Sequence, residues 1–193
     1  MTTMSSKTKV FIAGSRHLSR LNKDVKHRID NILEKGFTVI VGDANGVDKA
    51  VQQYLNGRRY NKVMVFCMEG GCRNNIGDWP TRTITAADPG RRDFAYYSTK
   101  DRAMVEEADY GLMLWDGRSR GTLTSIVHLV RQGKPVVVYI ASDRSFYTLR
   151  QSDDLTEMLR RFDPAALHRI DRELQAVVTG SGSSRKVDTA RLF

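Results

Sequence analysis

The segment "LWDGRSRGTLTS" at 114–125 combines residue types that bind phosphate. A helix beginning near Gly121 would offer free N–H groups and the positive end of its dipole to an anion, while hydroxyls and arginines add donors. A capped helix with nothing bound is the alternative, and the flanking arginines favour the anion site. The candidate ligand-binding residues of this segment are Asp116, Gly117, Arg118, Ser119, Arg120, Gly121 and Thr122.

Two further glycine-bearing loops, at 13–16 and 42–48, follow predicted strands. Glycine permits close backbone approach to a ligand, hydroxyl and guanidinium groups donate to phosphate, and an acid at a strand end can accept a ribose hydroxyl. The alternative for 42–48 is that its polar residues stabilise the turn and start the next helix. The candidates in the two loops are Gly14, Ser15, Arg16, Gly42, Asp43, Asn45, Gly46 and Asp48.

A long polar segment at 67–92 lacks clear periodicity, which is typical of a functional or disordered loop. Its Trp79 is predicted either to cover a base or to anchor the loop to the body of the protein. Lys100 and Arg102, at the start of a following helix, are candidate phosphate ligands, although a solvated helix face is the commoner role. The histidines show no metal-ligand spacing, so neither a metal site nor a cofactor is predicted.

Short apolar runs separated by single helices predict a mostly parallel sheet covered on both faces. We therefore expect a Rossmann-like, doubly wound α/β domain with a five-strand sheet, spanning 7–141. Since ligands bind at the carboxyl ends of such strands, the three loops should open on one edge. Apolar stripes predict a C-terminal helical hairpin within 142–178, and the Gly/Ser-rich composition of 179–193 predicts a flexible tail.

The chain is basic, with a formal net charge of +9, of which +8 falls within 1–141. Such a field attracts nucleotides, nucleic acid or acidic partners, although a solubilising surface is an equally good explanation. No apolar run approaches the roughly 20 residues of a membrane helix, and no secretory signal is recognised. We therefore expect a cytoplasmic protein in which Cys67 and Cys72 are reduced thiols.

Several segments, including "KVFIAGSR", "VGDANGVDKAVQQYL", "CRNNIGDWP" and "KDRAMVEEADYGLMLWDGRSRGTL", together resemble the SLOG superfamily of Rossmann-like domains. The nearest likeness is to its small stand-alone bacterial members of the YspA-like kind, over about 7–141. The resemblance implies a nucleotide or nucleotide-derived ligand, such as an ADP-ribose-like molecule. It also implies a homodimer, for which the C-terminal hairpin is the candidate surface.

Some relatives in this superfamily, the LOG phosphoribohydrolases, cleave N-glycosidic bonds. Their proline-glycine-glycine-x-glycine-threonine loop is followed by an acid in the first helical turn, where this chain has Thr124 and Ser125. Cleavage passes through a cationic sugar that a carboxylate stabilises, so hydrolysis would need an acid from elsewhere. The candidate catalytic acids are Asp43, Asp116 and Glu106.

The leading prediction is a nucleotide-binding domain that acts as a sensor or carrier. In it, phosphate lies against Gly121, Thr122 and Ser119, ribose faces Asp43, and Trp79 covers the base. The alternative is an N-glycosidase with a relocated carboxylate. A less favoured third hypothesis is single-stranded nucleic-acid binding, which the basic charge permits but which irregularly spaced aromatics do not support.

Overall fold

The computed structural model describes residues 8–87 and 92–162, which form one seven-stranded sheet in the order β4-β3-β2-β1-β5-β6-β7. The first six strands are parallel to their neighbours, and β7 is antiparallel to β6. The strands are β1 (Lys9–Gly14), β2 (Thr38–Gly42), β3 (Val63–Met68), β4 (Thr81–Ile84), β5 (Tyr110–Trp115), β6 (Val136–Ile140) and β7 (Ser145–Leu149).

Helices cover both faces of the sheet, which confirms the predicted α/β class. They are α1 (Lys23–Glu34), α2 (Val47–Gly57), α3 (Phe94–Glu107), α4 (Arg120–Arg131) and α5 (Ser152–Leu159). One core cluster contains Ile29 of α1 and Val51 of α2, and the other contains Met104 of α3, Ile126 of α4 and Leu155 of α5. The central strands are buried on both sides, as their continuous apolar runs predict.

The predicted count of five strands is wrong, because two edge strands extend the sheet. β4 has the sequence "TRTI" and is mostly exposed, so it has no apolar run to identify it. It is a strand because its backbone pairs with β3, with Val65 opposite Thr81. β7 lies within 142–178, where the sequence predicts only helices, and it pairs with the apolar β6.

The first part of the predicted C-terminal hairpin corresponds to α5, whose Leu155, Met158 and Leu159 are buried. Beyond α5, the ring of Phe162 lies 4.8 Å from that of Trp115. The second predicted helix and the tail at 179–193 lie outside the described residues.

The two cysteines form a disulfide in this structure, so the prediction of reduced thiols is wrong here. Cys67 near the end of β3 is bonded to Cys72, with their Cα atoms 5.0 Å apart. The bond ties the following loop to the end of a buried strand.

Candidate functional site

A cleft of about 780 Å³ opens at the carboxyl edge of the sheet. It lies beyond the ends of β1 and β5. Its walls are one side of α3, from Phe94 to Met104, and the start of α4. The chain runs from β1 outward to β4 and then returns to β5 on the other side of β1. The cleft therefore occupies the point where strand order reverses, which is where doubly wound folds bind ligands.

The cleft contains most of the residues predicted around the three loops. Those that line it are Gly14, Ser15, Arg16, Asp48, Lys100, Asp116, Arg118, Ser119, Arg120, Gly121 and Thr122. Their grouping could be predicted from the sequence, because each loop follows a parallel strand and parallel strands end at a common edge of the sheet.

The N-terminus of α4 forms one end of the cleft. Ser119 is the N-cap, and its hydroxyl accepts a hydrogen bond from the N–H of Thr122 at 3.4 Å. The Thr122 hydroxyl donates to the same oxygen at 2.9 Å. The N–H groups of Arg120 and Gly121 have no acceptor within the helix, because they belong to its first turn. They are thus available to an anion in the cleft.

Asp116 joins the loop before α4 to the loop after β1. Its carboxylate accepts the hydroxyl of Ser15 at 2.6 Å and the N–H groups of Ser119 and Arg118 at 2.8 and 3.0 Å. Partial burial would raise the pKa of Asp116, but these hydrogen bonds outweigh it and hold the pKa below its usual value. Asp116 is thus an ionised carboxylate that holds two cleft loops together.

Two glycines allow the loops to pack at this edge. A Cβ on Gly14 would lie 2.2 Å from the carbonyl oxygen of Leu114 on the neighbouring strand. Gly46 has a φ of +82°, and a Cβ there would lie 2.5 Å from the backbone of Arg16. Larger residues at either position would force the loops apart. Close packing of backbone against backbone therefore explains both glycines.

Asp43 does not line the cleft, and only 2% of its side chain is exposed. Its carboxylate accepts from the Lys100 ammonium at 2.5 Å and from the Arg73 guanidinium at 2.8 and 3.3 Å. The N–H of Arg73 also donates to it, at 3.0 Å. Burial would raise the pKa of Asp43, but Arg73 and Lys100 hold the pKa far below its usual value. Asp43, for which a ribose contact was predicted, is thus engaged in two internal ion pairs.

Asp48 from α2 and Asp101 from α3 also contribute carboxyl groups to the cleft lining. Burial raises the pKa of Asp48 to about 7, in spite of the nearby Lys100 charge, while the Ala44 N–H donates to it at 3.1 Å. Burial likewise raises the pKa of Asp101 to about 6, against the charges of Lys100 and Arg16. Both groups can therefore exchange protons near neutral pH.

Aromatic rings and arginines form the wall contributed by α3. The Tyr97 ring has the guanidinium carbons of Arg16 and Arg73 at 5.3 and 5.1 Å from its centroid. The Phe94 ring has that of Arg120 at 4.0 Å. These distances lie within the range of cation–π contacts.

Like Asp43, the predicted residues Trp79, Arg102 and Glu106 lie outside the cleft lining. Trp79 is buried, and its indole N–H donates to the carbonyl of Tyr60 at 2.9 Å, so the indole anchors the loop rather than covering a ligand. Arg102 is exposed on α3. Glu106 is exposed near the end of the same helix, beside Lys134, toward the opposite edge of the sheet.

Three of the remaining glycine-loop candidates support the cleft without lining it. The carbonyl of Gly42 accepts from Gln52 at 2.8 Å, and the side chain of Asn45 accepts from Asn74 at 3.2 Å. Gly117 adopts a φ of +78° in the turn before α4.

Sequence reasoning missed several residues that line the cleft, chiefly Arg73, Arg92, Phe94, Tyr97 and Asp101. The pairing of Arg73 with Asp43 forms only in the folded chain, so no local pattern marks Arg73 as a cleft residue. Phe94 was hard to predict from the sequence, because it does not belong to an apolar stripe with helical spacing. No cluster of acidic, histidine or cysteine side chains suited to a metal ion occurs within residues 8–87 and 92–162.

Comparison with known proteins gives a fold but no family assignment by sequence. No protein-family model matches the chain, and no curated protein matches it. DNA processing protein A from Helicobacter pylori, whose structure concerns its single-stranded DNA binding mode, superposes with a TM-score of 0.54 and 19% identity. That match covers 88% of this chain and 81% of the other.

DNA processing protein A from Streptococcus pneumoniae superposes with a TM-score of 0.53 and 15% identity, over 80% of this chain and 56% of that one. At these identities the likeness establishes a Rossmann-like fold related to that of DNA processing protein A.

Within residues 8–87 and 92–162, no helix is both long and apolar enough to cross a bilayer.

Proposed function

We propose that the cleft binds a nucleotide or nucleotide-derived ligand and that the protein is a sensor or carrier of it. The observation that carries the proposal is the meeting of free N–H groups at the start of α4 with arginines from three other segments. Arg16, Arg73, Arg92 and Arg118 all line the same 780 Å³ cleft. A phosphate accepts hydrogen bonds from both kinds of donor. The volume lies in the range of small-molecule and cofactor sites.

The acids of the cleft suit the sugar of such a ligand. Asp101 lies beside the phosphate position, with a carboxylate oxygen 3.8 Å from the place of a Cβ on Gly121. A carboxylate accepts from ribose hydroxyls, and its neutral form donates to a phosphate oxygen. We therefore assign the ribose to Asp101 in place of Asp43. Membership of the SLOG superfamily is part of this proposal and fits the Rossmann-like fold.

Gly121→Leu tests the placement of the phosphate. A Cβ on Gly121 meets no atom closer than 3.8 Å, so a side chain can begin there without a clash and would take up space beside the proposed anion position. Gly57→Leu is the matched control, because a Cβ there meets nothing within 4 Å at the end of α2. Each protein is incubated with pooled nucleoside monophosphates, NAD and ADP-ribose, and mass spectrometry identifies the ligand retained on a filter. We expect retention by the wild type and the control but not by Gly121→Leu; equal retention by all three would contradict the placement.

A second candidate is N-glycosidic hydrolysis, which the acid pair of Asp48 and Asp101 favours. The bond from C1′ of the sugar to the base nitrogen would break, and water would supply a hydroxyl to C1′ and a proton to the base. A neutral acid can protonate the leaving base while a carboxylate stabilises the cationic sugar. Free base in the same incubation, lost in Asp101→Asn, would support it. Retained intact ligand without free base would exclude it for the pooled compounds.

A third candidate is single-stranded DNA binding, which the Helicobacter pylori neighbour suggests. The basic cleft is compatible with a phosphate chain. Binding that extends over several phosphates falls steeply with salt, by a slope that grows with each neutralised phosphate. A fluorescence titration of an oligothymidylate at two salt concentrations tests this. If the oligothymidylate binds without displacing a mononucleotide, its binding site lies outside the cleft.

A further inference from the structure

Within residues 8–87 and 92–162, Phe94 is the one exposed large hydrophobic side chain, with 39% of its surface accessible. It is the first residue of α3, whose N-cap Asp93 accepts the N–H of Tyr96 at 3.1 Å. The capped turn fixes the ring at the cleft wall. The ring therefore lies at the mouth of the polar cleft rather than in the core.

Arg120 covers this ring, with its guanidinium carbon 4.0 Å from the ring centroid. This is the shortest arginine–aromatic distance in that part of the chain; the others range from 5.0 to 5.7 Å. Arg120 is also the first residue of α4, so its backbone N–H belongs to the anion end of the cleft. The Arg120 guanidinium therefore lies over the Phe94 ring close to the proposed phosphate position.

We propose that the Arg120 guanidinium, supported from below by Phe94, is the platform on which the base of the ligand stacks. This rests on the proposed nucleotide-binding function and names the group that recognises its aromatic base. A guanidinium is planar and weakly hydrated, so it stacks on aromatic rings where an ammonium does not. Neighbouring positions for phosphate and base match a ligand in which a sugar joins the two. Trp79, which is buried, leaves this role open.

The test compares the affinities for adenosine 5′-monophosphate and ribose 5-phosphate in calorimetric titrations, which separates the contribution of the base from that of the sugar phosphate. Arg120→Lys keeps the positive charge and removes the planar group, whereas Phe94→Leu removes the aromatic support. Phe146→Leu is the matched control, because Phe146 also has an arginine over its ring, Arg28 at 5.0 Å, but lies outside the cleft lining.

We expect the wild type to bind the nucleotide about tenfold or more tightly than the sugar phosphate, in keeping with the value of stacking one base. Arg120→Lys and Phe94→Leu should lose most of that preference, because the affinity for the nucleotide falls far more than the affinity for ribose 5-phosphate. Phe146→Leu should retain it. If Arg120→Lys keeps the full preference, the platform is wrong although the phosphate site stands. If the wild type binds neither compound, this inference and the proposed function are both overturned.

Discussion

Only 3% of the Lys100 side chain is exposed, so its amino group depends on partners within the protein for hydrogen bonds. Asp43 accepts from it at 2.5 Å and also fixes Arg73, which reaches the cleft from the loop after β3. Removing one member of a buried ion pair leaves an uncompensated charge, which costs far more than losing a surface pair. Asp43 is in this structure a positioning residue for two cations.

At the scale of this residue, Asp43→Asn should lower the free energy of unfolding by about 3 kcal/mol, because Lys100 loses its charged partner. Asp143→Asn is the control, since Asp143 pairs with Arg161 at 3.6 Å where both side chains are exposed. It should cost less than about 1 kcal/mol. Urea denaturation of the three proteins gives both values. Similar losses for the two variants would mean that the Asp43 cluster is no stronger than a surface pair.

At the scale of elements, the loop after β3 is held at several points besides the ion pairs. The backbone carbonyl of Trp79 accepts one hydrogen bond from the Asn75 side chain at 2.9 Å, and the backbone N–H of Trp79 donates to the same side chain at 3.1 Å. Gln52 on α2 accepts from the N–H of Ile76 at 3.0 Å. These contacts order a polar segment that has no apolar periodicity.

We expect Trp79→Phe to lower the free energy of unfolding by about 1 to 2 kcal/mol, because the carbonyl of Tyr60 loses its donor. The affinity for adenosine 5′-monophosphate should stay within about twofold of the wild type, because the indole lies in the core. Denaturation and calorimetry on the same protein supply the two quantities. A large loss of affinity with unchanged stability would return Trp79 to the role of a cover for the base.

How far the sequence predicts these elements depends on where their stabilisation comes from. The central strands and α1 could be predicted because apolar periodicity and caps lie in the local sequence, as when Asn22 accepts from Val25 at 2.8 Å. β4 could not, because its exposed side chains leave backbone pairing with β3 as its main support.

The residues of the candidate site likewise fall into those that the sequence could predict and those that it could not. The loops at 13–16 and 116–122 follow recognisable strands, and their glycines and hydroxyls identify them. The pairing of Arg73 with Asp43 joins residues 30 positions apart and depends on the folded loop. Likewise, the stack of Arg120 on Phe94 forms only when α3 and α4 pack together. A local pattern cannot specify contacts of this kind.

At the scale of the whole molecule, aspartates with shifted pKa values affect how stability depends on pH. The folded-state pKa values of Asp48 and Asp101 are raised to about 7 and about 6, above the ordinary value of 3.8. Between pH 4 and 7 the folded protein therefore holds more protons than the unfolded chain, so stability falls as pH rises. The lowered pKa values of Asp43 and Asp116 act in the opposite sense, below about pH 4.

We expect the free energy of unfolding to fall from pH 5 to pH 7 in the wild type, with Asp48 contributing on the order of 2 kcal/mol. Asp48→Asn should remove that part of the slope. Both proteins contain the same histidines, so the effect of histidine titration cancels when one stability curve is subtracted from the other. Urea denaturation at several pH values measures it. Parallel curves for the two proteins would show that Asp48 titrates normally in the fold.

The central claim is that a phosphate-bearing ligand binds where α4 begins, in the cleft between β1 and β5. The most direct measurement is a titration of isotope-labelled protein with adenosine 5′-monophosphate, followed by the backbone amide resonances. The account predicts that the amides of Arg120 and Gly121 shift most, together with Ser15, and that Gly57 at the far end of α2 stays unchanged. Saturable shifts confined to another surface, or none at millimolar nucleotide, would contradict it.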